Sequence, residues 1–511
     1  MQILKIDGEH LTIPKFIQIS RHRRKVGIAP SAVEKIKASR KAIEKIIASK
    51  EMAYGIKTGF GELCQVVIPR EDILKLQENL VRSHACAVGA PLSEEIVRGI
   101  LLLRANTFAK GYSGVRLEIV KLLVEMLNRG ITPVVYEQGS VGASGDLAPL
   151  AMMALALIGE GKVLYKGKIV SAEKALKAER LEPLKLEAKE GLALINGTSV
   201  MTAIAGFAVD ASQTLLESAI IGCMMSLEAL KGTNQAFREE VSRVRAHRGQ
   251  GACARIFMRI LANSEILESH RNCSKVQDAY TIRCAPQVIG AVKDTIDYVR
   301  KIVEIEMNSV TDNPLILPDG TSLSCGNFHG EPIALAMDYL GIALTTLGNF
   351  SERRIARLVD AHLSGLPPFL TEKGGLHSGY MIPQYVAASL ASENKILAHP
   401  ASADTIPTSA NQEDHVSMGT TAARKCLQIC KNVQNILAIE ILCASQGLDF
   451  HRPLKPGIGV LKAWEIVRKH VPHLEDDRVL YPEIQKIAEL IGSRELVNAV
   501  SSEIGEFWVK D

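Results

Sequence analysis

At 511 residues, 47% of them hydrophobic and 23% charged, the chain can bury a large core and is globular rather than disordered. Its net charge of +4 is spread along the sequence, which argues against a nucleic-acid partner. The densest basic run, Arg21-His-Arg-Arg-Lys25, has no interleaved aromatics and reads as a solvated face.

In chain order, residues 2–13 alternate in polarity around Asp7-Gly8 and predict a short hairpin. From Ser31, a helix is expected with Val33, Ile36, Ile43, Ile46 and Ile47 on its apolar face, ending near Tyr54-Gly55. The glycine-rich run Tyr54-Gly-Ile-Lys-Thr-Gly-Phe-Gly61 reads as a turn with a packed aromatic. Leu76–Val88 is expected to be helical, and its single His84 is of the kind usually satisfied inside a core. Further helices are expected at 93–110 and 114–129, and small hairpins around Lys166-Gly167 and Pro318-Asp-Gly320. Long helices follow near 200–231, 286–309, 330–359, 379–398, 417–447, 457–471 and 482–508. The first of these is apolar enough to suggest a membrane span, but Asp210 and Glu217 interrupt it, so a core helix is expected. Helices this long cannot bury their apolar stripes alone, so a bundle completed by other subunits is expected.

The ten cysteines form no Cys-x-x-Cys pair, and several fall in apolar helical runs. They read as reduced, buried thiols of a cytoplasmic protein. No metal-ligand spacing stands out. Met1-Gln-Ile-Leu-Lys-Ile-Asp7 does not carry a signal-peptide pattern.

The most unusual stretch is Gly139-Ser-Val-Gly-Ala-Ser-Gly-Asp-Leu-Ala-Pro-Leu150, which runs into an apolar helix. Asp146 is placed to cap that helix, Pro149 fits its first turn, and Gly159 and Gly161 can end it. Gly142 and Gly145 flank Ala143-Ser144, giving the loop backbone freedom beside a helix N-terminus. A glycine at 145 also leaves its nitrogen unhindered. In a tight turn that nitrogen can attack the Ala143 carbonyl, and dehydration with loss of the Ser144 hydroxyl leaves an exocyclic methylene electrophile. The plainer reading is a glycine-rich connection before a helix.

The twelve-residue string resembles the signature of the aromatic amino acid ammonia-lyases. In that family Ala-Ser-Gly, here Ala143, Ser144 and Gly145, cyclises to 4-methylidene-imidazol-5-one (MIO). The resemblance extends over nearly the whole chain. Tyr54-Gly-x-x-Thr-Gly-Phe-Gly61 matches the family loop whose tyrosine acts as catalytic base, with Lys57 in place of the usual Asn. Leu76-Gln-x-Asn-Leu-Val-Arg-Ser-His84 resembles the histidine-specific branch, which implies that His84 helps to set ring preference. Asn196, in Leu192-Ala-Leu-Ile-Asn-Gly-Thr198, reads either as a helix N-cap or, by resemblance, as a support for the MIO and the amino-acid end of the substrate.

Gln277, Tyr280 and Arg283 stand three residues apart, so a helical turn would set them on one side. Arg283 is either a surface arginine or a planar fork for a substrate carboxylate. The family's Gln-Asp-x-Tyr-x-x-Arg segment implies the second, with Tyr280 assisting at the MIO. Cys325-Gly-Asn-Phe-His-Gly330 is similar to a Gly-Gly-Asn-Phe-His-Gly loop, which would pack Phe328 beside the MIO. Asn411-Gln-Glu-Asp-His-Val-Ser-Met418 matches the histidine branch, whose glutamate at the position of Glu413 meets the imidazole. A desolvated carboxylate binds ring N–H donors strongly. His377 stands where the family more often has Asn.

The resemblance implies a mainly α protein, a long-helix bundle of the ammonia-lyase/fumarase-like type. Residues 1–199 are expected to carry the base and MIO loops, and 200–511 to form the helices of an oligomer core. The expected activity is elimination of ammonia from L-histidine to trans-urocanate by a cytoplasmic homotetramer, with neither nucleic-acid nor membrane partners. The alternative is a tyrosine or phenylalanine lyase or 2,3-aminomutase. A cofactor-free fumarase-like lyase would have no use for Ala143-Ser144-Gly145, and a non-catalytic scaffold would explain none of the polar loops.

Overall fold

Apolar residues recur mostly at three- and four-residue intervals, and the computed structural model is accordingly mainly α-helical. It describes residues 3–48, 58, 68, 69, 72–273 and 275–508. The chain forms two compact units. The first comprises Met1–Asp210, Val299–Asp338 and Pro400–Arg424; the second comprises Ala211–Tyr298, Tyr339–His399 and Lys425–Asp511.

In the first unit the Glu94–Ala109 helix is buried along nearly its whole length, including Arg98 and Arg104. Arg98 satisfies its guanidinium on three carbonyls at helix C-termini, Ile19, Ser20 and Leu127, each at 2.9 Å. The Pro30–Ala48 helix buries Ile36, Ile43 and Ile46 as its spacing predicts. The hairpin expected over 2–13 does not form. Leu4–Ile6 pairs in parallel with Val26–Ile28, and Ile13–Ser20 is a helix burying Ile13, Phe16, Ile17 and Ile19. Asp7 folds its carboxylate onto the N–H groups of Glu9 and His10, and Gly8 donates to Asn106 Oδ1, so the turn points away from a returning strand. The Lys162–Tyr165 and Lys168–Ser171 hairpin and the Leu315–Ile316 and Ser322–Leu323 pair form as expected. The helix expected to reach Val88 stops at His84, and Val88–Pro91 pairs with Tyr136–Gln138 as a strand.

The second unit packs Arg248–Ile260, Ile458–His470 and Glu495–Ile504 against one another. Arg354 and Glu440 form an ion pair with both side chains fully buried, and Ser226 Oγ donates to Glu440 at 2.7 Å. The helix expected over 482–508 is two, Tyr481–Gly492 and Glu495–Ile504. Arg494 breaks it by taking a left-handed backbone, φ +64°, while its guanidinium binds Thr214 Oγ1 and Glu217 Oε2. His377, in this unit, lies 3.1 Å from the Asp476 carboxylate and accepts the Asp477 N–H. Asp477 in turn accepts the N–H groups of Ser378 and Gly379, so His377 braces a loop.

Two helices, Ser199–Ala229 and Glu331–Val359, are long and apolar enough to cross a membrane. In the first, 83% of the apolar window is covered by protein, as the core-helix reading expects. Cys223, Cys253, Cys426, Cys430 and Cys443 are buried.

Candidate active site

The site is built in the first unit around the 139–146 loop. Gly142 and Gly145 take left-handed conformations, φ +71° and +74°. A Cβ at Gly142 would lie 2.2 Å from Ser417 Oγ, and one at Gly145 2.2 Å from the Gly197 carbonyl oxygen. Neither position has room for a side chain. The Gly142 carbonyl accepts from Ser417 Oγ at 2.9 Å and the Gly330 N–H at 3.1 Å, and Val141 accepts the Met418 N–H. The Asp146 N–H donates to the Gly197 carbonyl at 2.8 Å. Ala143-Ser144-Gly145 is therefore clamped at both ends.

Asp146 does not place its side chain on the helix it precedes, Leu147–Leu157. Its carboxylate accepts the N–H groups of Val200 and Met201 at 2.8 and 2.9 Å, so it caps Ser199–Ala229 instead. Ser140 Oγ and Thr420 Oγ1 also donate to it. Full burial still pushes the Asp146 carboxyl up from its ordinary range, against these four donors.

Two donors converge on the Ser144 carbonyl oxygen: Asn196 Nδ2 at 3.1 Å and the Gly197 N–H at 3.3 Å. Asn196 is thus no N-cap; it ends the short Glu190–Ile195 helix, its own N–H bonded to Leu192. On the opposite side of the residue, Ser144 Oγ donates to Glu413 Oε1 at 2.6 Å, and Thr408 Oγ1 donates to Glu413 Oε2 at 2.6 Å. His84 closes the helix Ile73–His84 beside them, Nδ1 lying 3.0 Å from Ser83 Oγ. Burial lowers the His84 pKa, opposed by the Glu413 charge, so the ring is biased towards neutral. Ser83, His84, Ser140, Ser144 and Glu413 line a cavity of about 190 Å³.

The Cys325–Gly330 loop reaches this centre through Gly330, and Phe328 on it is half-buried. Cys325 has no left-handed backbone, so it replaces the family glycine without strain; its N–H donates to Asn313 Oδ1 at 2.8 Å. No sequence spacing announces a metal site, but the ligand atoms of His329, Glu331 and His415 lie within 4.8 Å of one another. Tyr54 and most of its loop lie outside the described residues.

Tyr280 and Arg283 belong to the second unit. The helix there spans only Tyr280–Arg283, so the exposed Gln277 precedes it and does not share a helical face with them. The Arg283 guanidinium carbon lies 4.6 Å from the centre of the Tyr280 ring. Its buried Nε has no hydrogen-bond partner among the described residues, as suits an anion-binding fork. Sequence reasoning missed Thr408, Thr420 and Arg104 of the site region. Thr408 carried no signal. Arg104 did, as a lone charge in the apolar run Ile100-Leu-Leu-Leu-Arg-Ala.

A family model described as aromatic amino acid lyase matches residues 11–469. The chain is 51% identical to a histidine ammonia-lyase of Alkaliphilus oremlandii, over 99% of each sequence. Among solved structures it resembles a histidine ammonia-lyase from Trypanosoma cruzi, with TM-score 0.92 and 42% identity over 100% of this chain and 98% of that one. It also resembles a tyrosine aminomutase from Streptomyces globisporus, with TM-score 0.94 and 37% identity over 99% of both.

Proposed function

The chain belongs to the aromatic amino acid lyase family and is a carbon–nitrogen lyase, and on that premise we propose that it eliminates ammonia from L-histidine to give trans-urocanate. The observation that carries the choice of histidine is Glu413, held in one cavity with His84 and Ser144. A carboxylate accepts imidazole N–H donors that a phenyl ring does not offer. The tyrosine and phenylalanine lyases and 2,3-aminomutases are the second reading, supported by the likeness to the tyrosine aminomutase.

The proposed prosthetic group is MIO, and the residues present fit it. Positions 142 and 145 admit only glycine, and the carbonyl that would enter the ring, Ser144, already has two donors. When formed, the group supplies the electrophile that makes ammonia a workable leaving group. The other parts belong to ordinary side chains. Tyr54 removes the β-proton, by likeness to the family's base. Glu413 and His84 orient the imidazole, while, by likeness to the family's Gln-Asp-x-Tyr-x-x-Arg segment, Arg283 holds the carboxylate and Tyr280 and Gln277 assist. Asn196 fixes the Ser144 carbonyl, and Phe328 walls the site. A phenol ionises too high to act in water, so the Tyr54 site must favour phenolate.

By likeness to the family we assign the assembly as a homotetramer, which would cover several large apolar side chains exposed on the long helices, among them Leu335, Tyr339, Tyr385 and Ile396. One assay decides the reading: purified protein with histidine, tyrosine and phenylalanine, followed by near-ultraviolet absorbance and product identification. Urocanate as the fastest-formed product supports it; a β-amino acid, or faster arylacrylate release from tyrosine, overturns it. Light scattering that finds active monomers would overturn the tetramer.

A further inference from the structure

Directly behind Asn196 lies Arg104, fully buried in the middle of the Glu94–Ala109 helix. Its Nη1 donates to the Asn196 carbonyl at 2.7 Å. Its Nε and Nη2 have no hydrogen-bond partner among the described residues, and the guanidinium carbon sits 4.9 Å from the centre of the Phe108 ring. Arg98, six residues earlier on the same helix, is the contrast. It spends its donors on three carbonyls and clamps helix ends together. Arg104 makes one such bond, so fold stability alone is a poor reason to bury its charge.

What Arg104 touches is the peptide that positions both donors on Ser144. Asn196 supplies one donor from its side chain, and the next residue, Gly197, supplies the other from its N–H. The packing is close enough that a Cβ at Gly197 would lie 2.6 Å from Arg104 Nη1. A bond to the Asn196 carbonyl also polarises the Asn196–Gly197 peptide, whose N–H is the one aimed at Ser144.

We propose that Arg104 is a positioning residue for self-dehydration of the Ala143-Ser144-Gly145 loop, acting through the Asn196–Gly197 peptide on the Ser144 carbonyl. This rests on the MIO reading above. The Gly145 nitrogen bonds to the Ala143 carbonyl carbon, and that carbonyl oxygen leaves as water with the amide hydrogens of Ser144 and Gly145. A second water takes the Ser144 hydroxyl together with its Cα hydrogen. In this second loss the Cα–H electron pair shifts onto the Ser144 carbonyl before the Cα=Cβ bond forms and the Cβ–Oγ bond breaks. The oxygen that gathers charge is the one held by Asn196 and Gly197, so donors fixed before reaction lower the barrier. Arg104 fixes those donors and adds positive potential behind them. Burial lowers its pKa to about 10, with Asp312 and Asp146 opposing, so it remains cationic at neutral pH.

The test is cell-free synthesis of the full chain, sampled over hours by intact mass, for the unaltered protein, Arg104→Met and Arg104→Lys. Met fills much of the same apolar space, and Lys keeps the charge without the fork. The unaltered chain is expected to lose two waters. Arg104→Met should do so about ten- to a hundredfold more slowly, short of the roughly 10²–10³-fold cost of removing an oxyanion donor outright, with Arg104→Lys in between. Melting temperature and light scattering identify which variants are folded, and Arg104→Lys carries the test if Arg104→Met is not. A folded variant that dehydrates at the unaltered rate overturns the proposal. An unaltered chain that never loses water overturns the MIO reading itself, which separates the two failures.

Discussion

Ser144 Oγ donates a 2.6 Å hydrogen bond to Glu413 Oε1, joining residues 269 positions apart. The hydroxyl that the cofactor reading removes and the carboxylate that the substrate reading assigns to the imidazole thus face the same cavity. Glu413→Gln keeps the shape and removes the charge. A charge-assisted hydrogen bond contributes roughly 1.5–3 kcal/mol, so kcat/KM for histidine should fall about ten- to a hundredfold. Phenylalanine has no ring donor, and its slow turnover should fall much less or rise. Steady-state kinetics on both substrates give the ratio that matters; equal losses would make Glu413 structural.

Gly145→Ala should leave the chain at its full unmodified mass. The added Cβ would meet the Gly197 carbonyl oxygen at 2.2 Å, from a backbone at φ +74°. The loop must then give up its bridge to Gly197, and with it both donors on Ser144. Peptide mapping of the 139–150 segment checks this. A doubly dehydrated peptide in the variant would refute the steric account.

Tyr54→Phe separates turnover from cofactor formation. The reading proposed for Tyr54 gives it proton abstraction and no part in dehydrating the loop, so the variant should show the dehydrated mass while kcat falls about 10²–10⁴-fold, the scale of a lost general base. Loss of dehydration instead would place Tyr54 in the maturation step.

Glu228 predicts a pH dependence of stability in the second unit. Burial raises its pKa from 4.5 to about 7, although both carboxylate oxygens accept the Gly457 N–H at 3.0 Å. The folded state therefore holds a proton that the unfolded chain releases. The associated stability is present in full below about pH 4.5 and is lost as pH rises through about 7. Glu228→Gln should flatten this decline, so thermal melts of the variant and the parent should diverge between pH 5 and pH 8. Parallel curves would show that Glu228 is ionised throughout.

Chain order alone determined the helix-rich architecture, because apolar spacing at three and four residues reports which face of each helix must be covered. It also determined the candidate loop, since Ala143-Ser144-Gly145 with its flanking glycines is a local pattern of covalent neighbours. Local signals failed where a distant partner competes. Asp146 looked like the cap of the helix that follows it, yet its carboxylate serves Ser199–Ala229. Asp7-Gly8 looked like a hairpin turn until Val26–Ile28 supplied a parallel partner. Only the tertiary structure placed Ser144, His84, Asn196 and Glu413 around one centre, because hydrogen bonds spanning 52 and 269 residues leave no trace in spacing. Arg104 shows the same division: a charge in an apolar run was visible in the sequence, but what it holds depends on which carbonyl the fold brings to it.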